Sequence, residues 1–272
     1  MECILSVANA LLPLLYLALL IDYGATFFLR TRSQARNPGL LALVVVHAAV
    51  LAARAIHTGH PPVTEARDIL SVLALTTAAV YAYVEFAAHD RRTGVFVLLL
   101  AFLFQYASTI SLAGCGPEAA PGGFAEAHSL WSRLHTLPAM VAYTASALAG
   151  VYGLMYLLAQ RSLRQQRFGL FFDRLPPLDL LGPMTWHAVL TAFACITLTI
   201  AVTPLLFHGD DGGGLSAKVL SKIITGSVAW IVYAAAIFGR WFGKWHMARI
   251  AVIAVVGFAA VMALLIASAV LS

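Results

Sequence analysis

The chain has 272 residues, of which 61% are hydrophobic and 11% charged, and carries a formal net charge of +5 at pH 7. Such a composition is too apolar for a soluble domain of this length and points to an integral membrane protein. The positive balance needs no nucleic-acid partner, because it follows from how the basic residues are distributed between the links.

A segment crossing ~30 Å of hydrocarbon must satisfy its own backbone, and at 1.5 Å per residue this takes roughly 20 helical residues. Hydropathy places eight such spans, at about 4–28, 39–56, 69–88, 94–113, 136–159, 180–207, 219–239 and 249–271. The expected fold is an all-α bundle of eight transmembrane helices forming one polytopic domain. The first span is too long for a secretory leader and has neither a basic start nor a small-residue cleavage site, so it reads as a retained helix. Asp22 lies in its inner half, and with Tyr23, Arg30 and Arg32 nearby it reads as an acid near the inner surface with basic neighbours.

Span 2 carries His47 about eight residues from its start. The link that follows, ARAIHTGHPPVTEARDILS at 53–71, is polar and contains His57, His60 and the Pro61-Pro62 pair. Proline cannot continue a helix, so the chain must turn between His57 and Thr64, which holds both histidines at the rim of the bundle. Imidazoles fixed there can ligate a metal or haem, or titrate near neutral pH. Span 3 ends with Glu85 a turn above Arg91 and Arg92, where it pairs or snorkels.

The outer link from Ala113 to Arg133 is Gly/Pro-rich at first and then reads FAEAHSLW, a short amphipathic helix whose Phe124, Leu130 and Trp131 would face lipid or a flat ligand. It leads into His135 at the mouth of span 5. Span 6 carries His187 about seven residues in, at the same depth as His47. Two imidazoles at one depth could clamp a haem iron, the alternative being a separate hydrogen bond for each. His208 lies in an outer loop beside Asp210 and Asp211 and reads as solvated. Of the three cysteines, Cys3 and Cys115 fall on the outer side, where a disulfide is permitted, and Cys195 lies mid-span as packing; their spacing fits no zinc site.

The links after spans 1, 3, 5 and 7 hold 12 of the 17 Lys and Arg residues: Arg30, Arg32 and Arg36; Arg91 and Arg92; Arg161, Arg164, Arg167 and Arg174; Arg240, Lys244 and Arg249. The positive-inside rule makes these links cytoplasmic and puts both termini on the extracytoplasmic side of a plasma (inner) membrane.

Several segments in this order resemble the cytochrome c assembly family, the haem-handling membrane proteins of CcsA/CcmC/HemX type. Arg54, Gly59, His60, Pro62 and Asp68 fit that family's R-W-x-x-S-G-H-x-P stretch and the acid beyond it. LWSRLHTLPAMVAYTASALAG is similar to its W-L-x-x-H-V helix through Trp131, His135 and Tyr143. Lys222 and Trp230 match the K-E-T-W-x-x-x-x-W helix, and Gly257 and Phe258 the final one. The sequence departs from the family where its Trp-rich platform should stand, reading AKVLSK at 217–222, and has Phe238 where the family has an intramembrane histidine. This looks more like the HemX branch.

The resemblance implies haem b held by His135 at the outer face; the family's second outer ligand is missing from its usual place, and an imidazole from His57, His60 or His208 could complete the pair geometrically. In that reading Arg54, Arg67, Arg133 or Lys222 would meet the propionates, because charge-assisted pairs are the strong ones at an interface, with the matched Trp131 and Trp230 nearby. The implied partners are membrane components of cytochrome c maturation and apocytochrome c. The other two readings are a non-catalytic scaffold or regulator in haem synthesis or cytochrome assembly, and a small-molecule secondary transporter. No Ser-His-Asp set, phosphate loop or zincin motif suggests a hydrolase, and no catalytic residue is expected.

Overall fold

The computed structural model describes residues 2–29, 38–59, 66–88, 91–113, 130–166, 169, 172–206 and 217–270. Among them the chain is helical throughout, with no strand. The helices are α1 (Glu2–Leu29), α2 (Pro38–Thr58), α3 (Ala66–Ala88), α4 (Gly94–Ala113), α5 (Leu130–Arg164), α6 (Leu178–Leu206), α7 (Ala217–Trp241) and α8 (Met247–Val270). One 3-10 turn, Phe172–Arg174, precedes α6. Five stretches are long and apolar enough to cross a bilayer: Ala10–Leu29, Pro38–His57, Asp68–Ala87, Leu134–Arg164 and Leu178–Pro204. Shorter apolar stretches, Gly94–Ile110 and Met247–Ala263, lie in α4 and α8.

Each helix coincides with an expected span. The largest difference is α5, which begins at Leu130 and runs through Pro138 to Arg164, well beyond a bilayer-sized stretch. The end of α2 is set by Gly59, whose φ of +73° is open to glycine and whose N–H donates to the Ala55 carbonyl at 2.9 Å.

The helices gather into two compact units, residues 1–127 and 128–272. In the first, α1 packs on α2, α2 on α3, α3 on α4 and α4 back on α1, closing a four-helix ring. Its interior side of α3 is Asp68, Ser71, Ala74, Ala78, Tyr81 and Glu85, a row at steps of three and four residues that is buried throughout. The outer surface carries lipid-type side chains such as Leu14, Ile21, Leu41, Val45 and Ile56, all exposed.

In the second unit α5 packs on α6 and α8, α6 on α7, and α7 on α8. Its core is unusually small-sided: Ala142, Ala145, Ala149, Ala192, Ala229, Ala236 and Ala254 are buried around Val189, Tyr233, Ile237 and Ile250. Small residues let membrane helices approach closely, where dispersion and weak polar contacts replace the hydrophobic drive. Gly153 shows how close: a Cβ there would lie 2.9 Å from the Ala251 carbonyl oxygen. Across the same interior Ser146 and Tyr233 hydroxyls are hydrogen-bonded.

Candidate functional site

His47 is fully buried at the middle of the first unit. Its Nδ1 meets the Tyr16 hydroxyl at 2.9 Å and its Nε2 the Ser71 hydroxyl at 3.0 Å. Ser71 donates its only proton to Gln105 Oε1 at 2.9 Å, so Nε2 of His47 must be the donor to Ser71. In the neutral ring Nδ1 then accepts from Tyr16. Gln105 Nε2 reaches Thr109 Oγ1 at 3.4 Å, and Thr109 donates to the Gln105 carbonyl at 3.0 Å. The result is a chain of donors running one way through all four helices, from Tyr16 on α1 to Thr109 on α4. Such closed polar networks fix a unique packing where water is absent.

Of the expected His47–His187 pair, each histidine is described within its own unit. Both nitrogens of His47 are occupied by protein hydrogen bonds, and His187 is exposed on α6 in the other unit, where Thr191 donates to its backbone carbonyl at 2.9 Å. The partners Tyr16, Ser71 and Gln105 were not singled out from sequence; the available signal was polar side chains at core spacing in otherwise apolar spans.

At one end of this unit Arg54 forms an ion pair with Asp68 at 3.1 Å, with Asp68 almost fully buried. Asp68 lies in the first turn of α3, where the helix dipole also favours a carboxylate. Arg54 is therefore answered by protein, and His57, three residues on, is exposed. His60 lies outside the described residues, as do Phe124, Cys115, His208, Asp210 and Asp211.

At the opposite end Arg91 joins two acids. It reaches Asp22 at 3.4 Å and Glu85 at 3.6 Å, and its guanidinium carbon stands 4.3 Å from the centre of the Tyr23 ring. Tyr23 donates to Glu85 Oε2. Glu85 thus pairs with Arg91 as the sequence suggested, while Asp22 takes the same arginine.

In the second unit His135 lies near the start of α5, partly buried, with Nδ1 3.3 Å from Thr203 Oγ1 of α6. Thr203 donates its only proton to the Thr199 carbonyl at 2.8 Å, so His135 Nδ1 is the donor and the ring lone pair falls on Nε2. Thr203 is a residue the motif comparison did not reach.

Trp230 of α7 donates its indole N–H to Thr197 Oγ1 at 2.9 Å and its ring lies 5.6 Å from Phe193 at a 31° tilt. Trp131 and Lys222 stand in the first turns of α5 and near the start of α7, their side chains, like those of Arg67, Arg133 and Cys3, outside the description. Cys195 is a free, partly buried thiol on α6. Among the described residues no group of three His, Cys, Asp or Glu side chains converges to hold a metal ion.

Fold and sites together define a multi-pass helical membrane protein with a buried polar relay in one unit and an oriented histidine in the other. Comparison of the chain with family models, with curated proteins and with solved structures finds no match.

Proposed function

We propose that the chain is an eight-span membrane protein, both termini extracytoplasmic, that binds haem b through His135 at its outer face and presents it to the machinery of c-type cytochrome assembly. The observation that supports this most is the His135–Thr203 contact, which ties the Nδ1 edge of the ring to α6. The order of motifs around Arg54, His60, His135 and Trp230 points the same way.

In this reading the second imidazole comes from His60 or His57, and the propionates are met by Lys222, Arg133 or Arg67, because Arg54 is committed to Asp68. Bound haem supplies the redox-active iron and the vinyl groups to which a cytochrome's cysteines are joined. The protein's part is ligation, orientation and shielding from water. Joining falls to partners, with apocytochrome c as the acceptor. The transporter reading calls for helices broken at mid-membrane, whereas each described helix is continuous through its prolines.

The test is the absorption spectrum of the full chain purified in detergent from haem-replete cells, oxidised and reduced, beside His135→Ala, Thr203→Val and His47→Phe variants. Haem ligation by His135 gives a Soret band with sharp reduced α and β bands, lost in His135→Ala, weakened in Thr203→Val and kept in His47→Phe. A colourless protein that takes up no haem on titration would overturn this function and leave the scaffold reading.

A further inference from the structure

The turn between α7 and α8 is built around one ring. Trp245 donates its backbone N–H to the Gly239 carbonyl at 3.0 Å, and a Cβ on Gly243 would lie 2.9 Å from Trp245 Nε1, so this face of the indole is seated directly on backbone. Lys244, between them, has a φ of +48°, the left-handed region that side chains other than those of Gly, Asn and Asp rarely adopt. A glycine would serve this backbone better; the chain holds a lysine there and leaves it exposed.

On either side of that lysine in the chain lie two further cations, each over a ring. Arg249 lies 6.0 Å from the centre of the Trp245 ring, and Arg240 lies 5.1 Å from that of Trp186. Trp241 and Phe242 project outward, 62% and 79% exposed, and Phe242 stacks on Phe238. Among the described residues Arg240, Lys244 and Arg249 make no ion pair. Asp179, exposed in the first turn of α6, is the one carboxylate side chain described in this unit. Three cations with no ion pair among the described residues, interleaved with exposed aromatics at the junction of two apolar helices, suit the level where lipid phosphates meet acyl chains.

We propose that the α7–α8 turn is a binding site for anionic phospholipid. Arg240, Lys244 and Arg249 meet the phosphate of the headgroup, and Trp241 and Phe242 lie along the boundary between headgroup and acyl chain. A zwitterionic lipid brings its own cation beside the phosphate and leaves the three side chains uncompensated, so a lipid of net negative charge is preferred. The inference rests on α7 and α8 crossing the bilayer and is independent of haem.

The experiment uses the full chain in mild detergent, incubated with dioleoylphosphatidylglycerol or dioleoylphosphatidylcholine and counted for retained lipid by native mass spectrometry. Tryptophan quenching by brominated-chain versions of both lipids gives a second readout. Lys244→Gly removes one charge while relieving the backbone, so the variant keeps its fold; Arg249→Gln removes a second. The wild type should retain phosphatidylglycerol about tenfold better than phosphatidylcholine. Each substitution should lower that affinity about fivefold, with phosphatidylcholine retention and melting temperature unchanged. Equal retention of the two lipids, retention of neither, or a preference that survives the double variant would overturn the proposal. So would displacement of phosphatidylglycerol by millimolar inorganic phosphate, which would assign the site to free phosphate.

Discussion

Replacing Ser71 by alanine tests whether the polar chain in the first unit acts as one connected network. Ser71 accepts from His47 at 3.0 Å and donates to Gln105 at 2.9 Å, and all three residues are fully buried. Removing the hydroxyl strands one imidazole N–H and one amide oxygen. A buried orphan costs about 1–3 kcal/mol, so two at the lower figure make Ser71→Ala destabilising by about 2 kcal/mol. Gln105→Leu alone costs about 1 kcal/mol, because Ser71 can turn its proton to the carbonyl one turn back.

In the double variant the leucine that replaces Gln105 has no polar group to strand and only the His47 donor is left, so the total is about 1.5 kcal/mol rather than the additive 3, a coupling of roughly 1.5 kcal/mol. That coupling sits near the top of the range for hydrogen bonds between membrane helices, where single bonds average about 0.6 kcal/mol. Equilibrium unfolding in mixed dodecylmaltoside and sodium dodecyl sulfate, followed by circular dichroism for the wild type and three variants, reads it directly. Additivity within about 0.5 kcal/mol would refute the connected chain.

Three further outcomes follow from single contacts. Thr77 is fully buried and its hydroxyl has no hydrogen-bond partner among the described residues, so Thr77→Val should raise stability by up to about 1 kcal/mol in the same unfolding assay; a loss would show that the hydroxyl is held by something. Gly153→Ala should lower stability by about 1–3 kcal/mol, because the new methyl would stand 2.9 Å from the Ala251 backbone oxygen and only separation of α5 and α8 relieves it; an unchanged melting temperature would contradict the close packing. Arg54→Gln should cost about 3 kcal/mol by leaving Asp68 charged at almost full burial, and Asp68→Asn added to it should restore much of the loss; no recovery in the double variant would mean the two side chains are not partners.

The helices were legible, five of them long and apolar enough to cross a bilayer, because lipid imposes one rule on every residue of a crossing helix and hydropathy sums that rule over about 20 positions. Even the helix ends follow, as at Gly59, where a glycine before two prolines leaves little choice. Which helices face each other was not legible. His47 and His187 share a depth and a residue type, yet one is enclosed by Tyr16 and Ser71 and the other is exposed. Depth is a one-dimensional property that the sequence carries; azimuth depends on the neighbours a helix finds. Glu85 was readable because its partner lies six residues away, while the Asp22–Arg91 pair joins positions 69 residues apart. His135 was singled out from its motif, but the threonine its ring meets lies 68 residues on, in another helix.

The buried row on α3 bears on how the protein is made. Leaving the translocon alone, this helix would show Asp68, Ser71, Tyr81 and Glu85 to hydrocarbon, and each acid carries an insertion cost of up to about 2.5–3.5 kcal/mol, smaller toward the helix ends. Its relief lies in chain on both sides: Arg54 and His47 have already emerged, but Gln105 and Arg91 are still to be synthesised. α3 should therefore linger at the lateral gate until α4 arrives and enter the bilayer with it, so that the unit of insertion is a helix pair and the pause is written into one face of one helix.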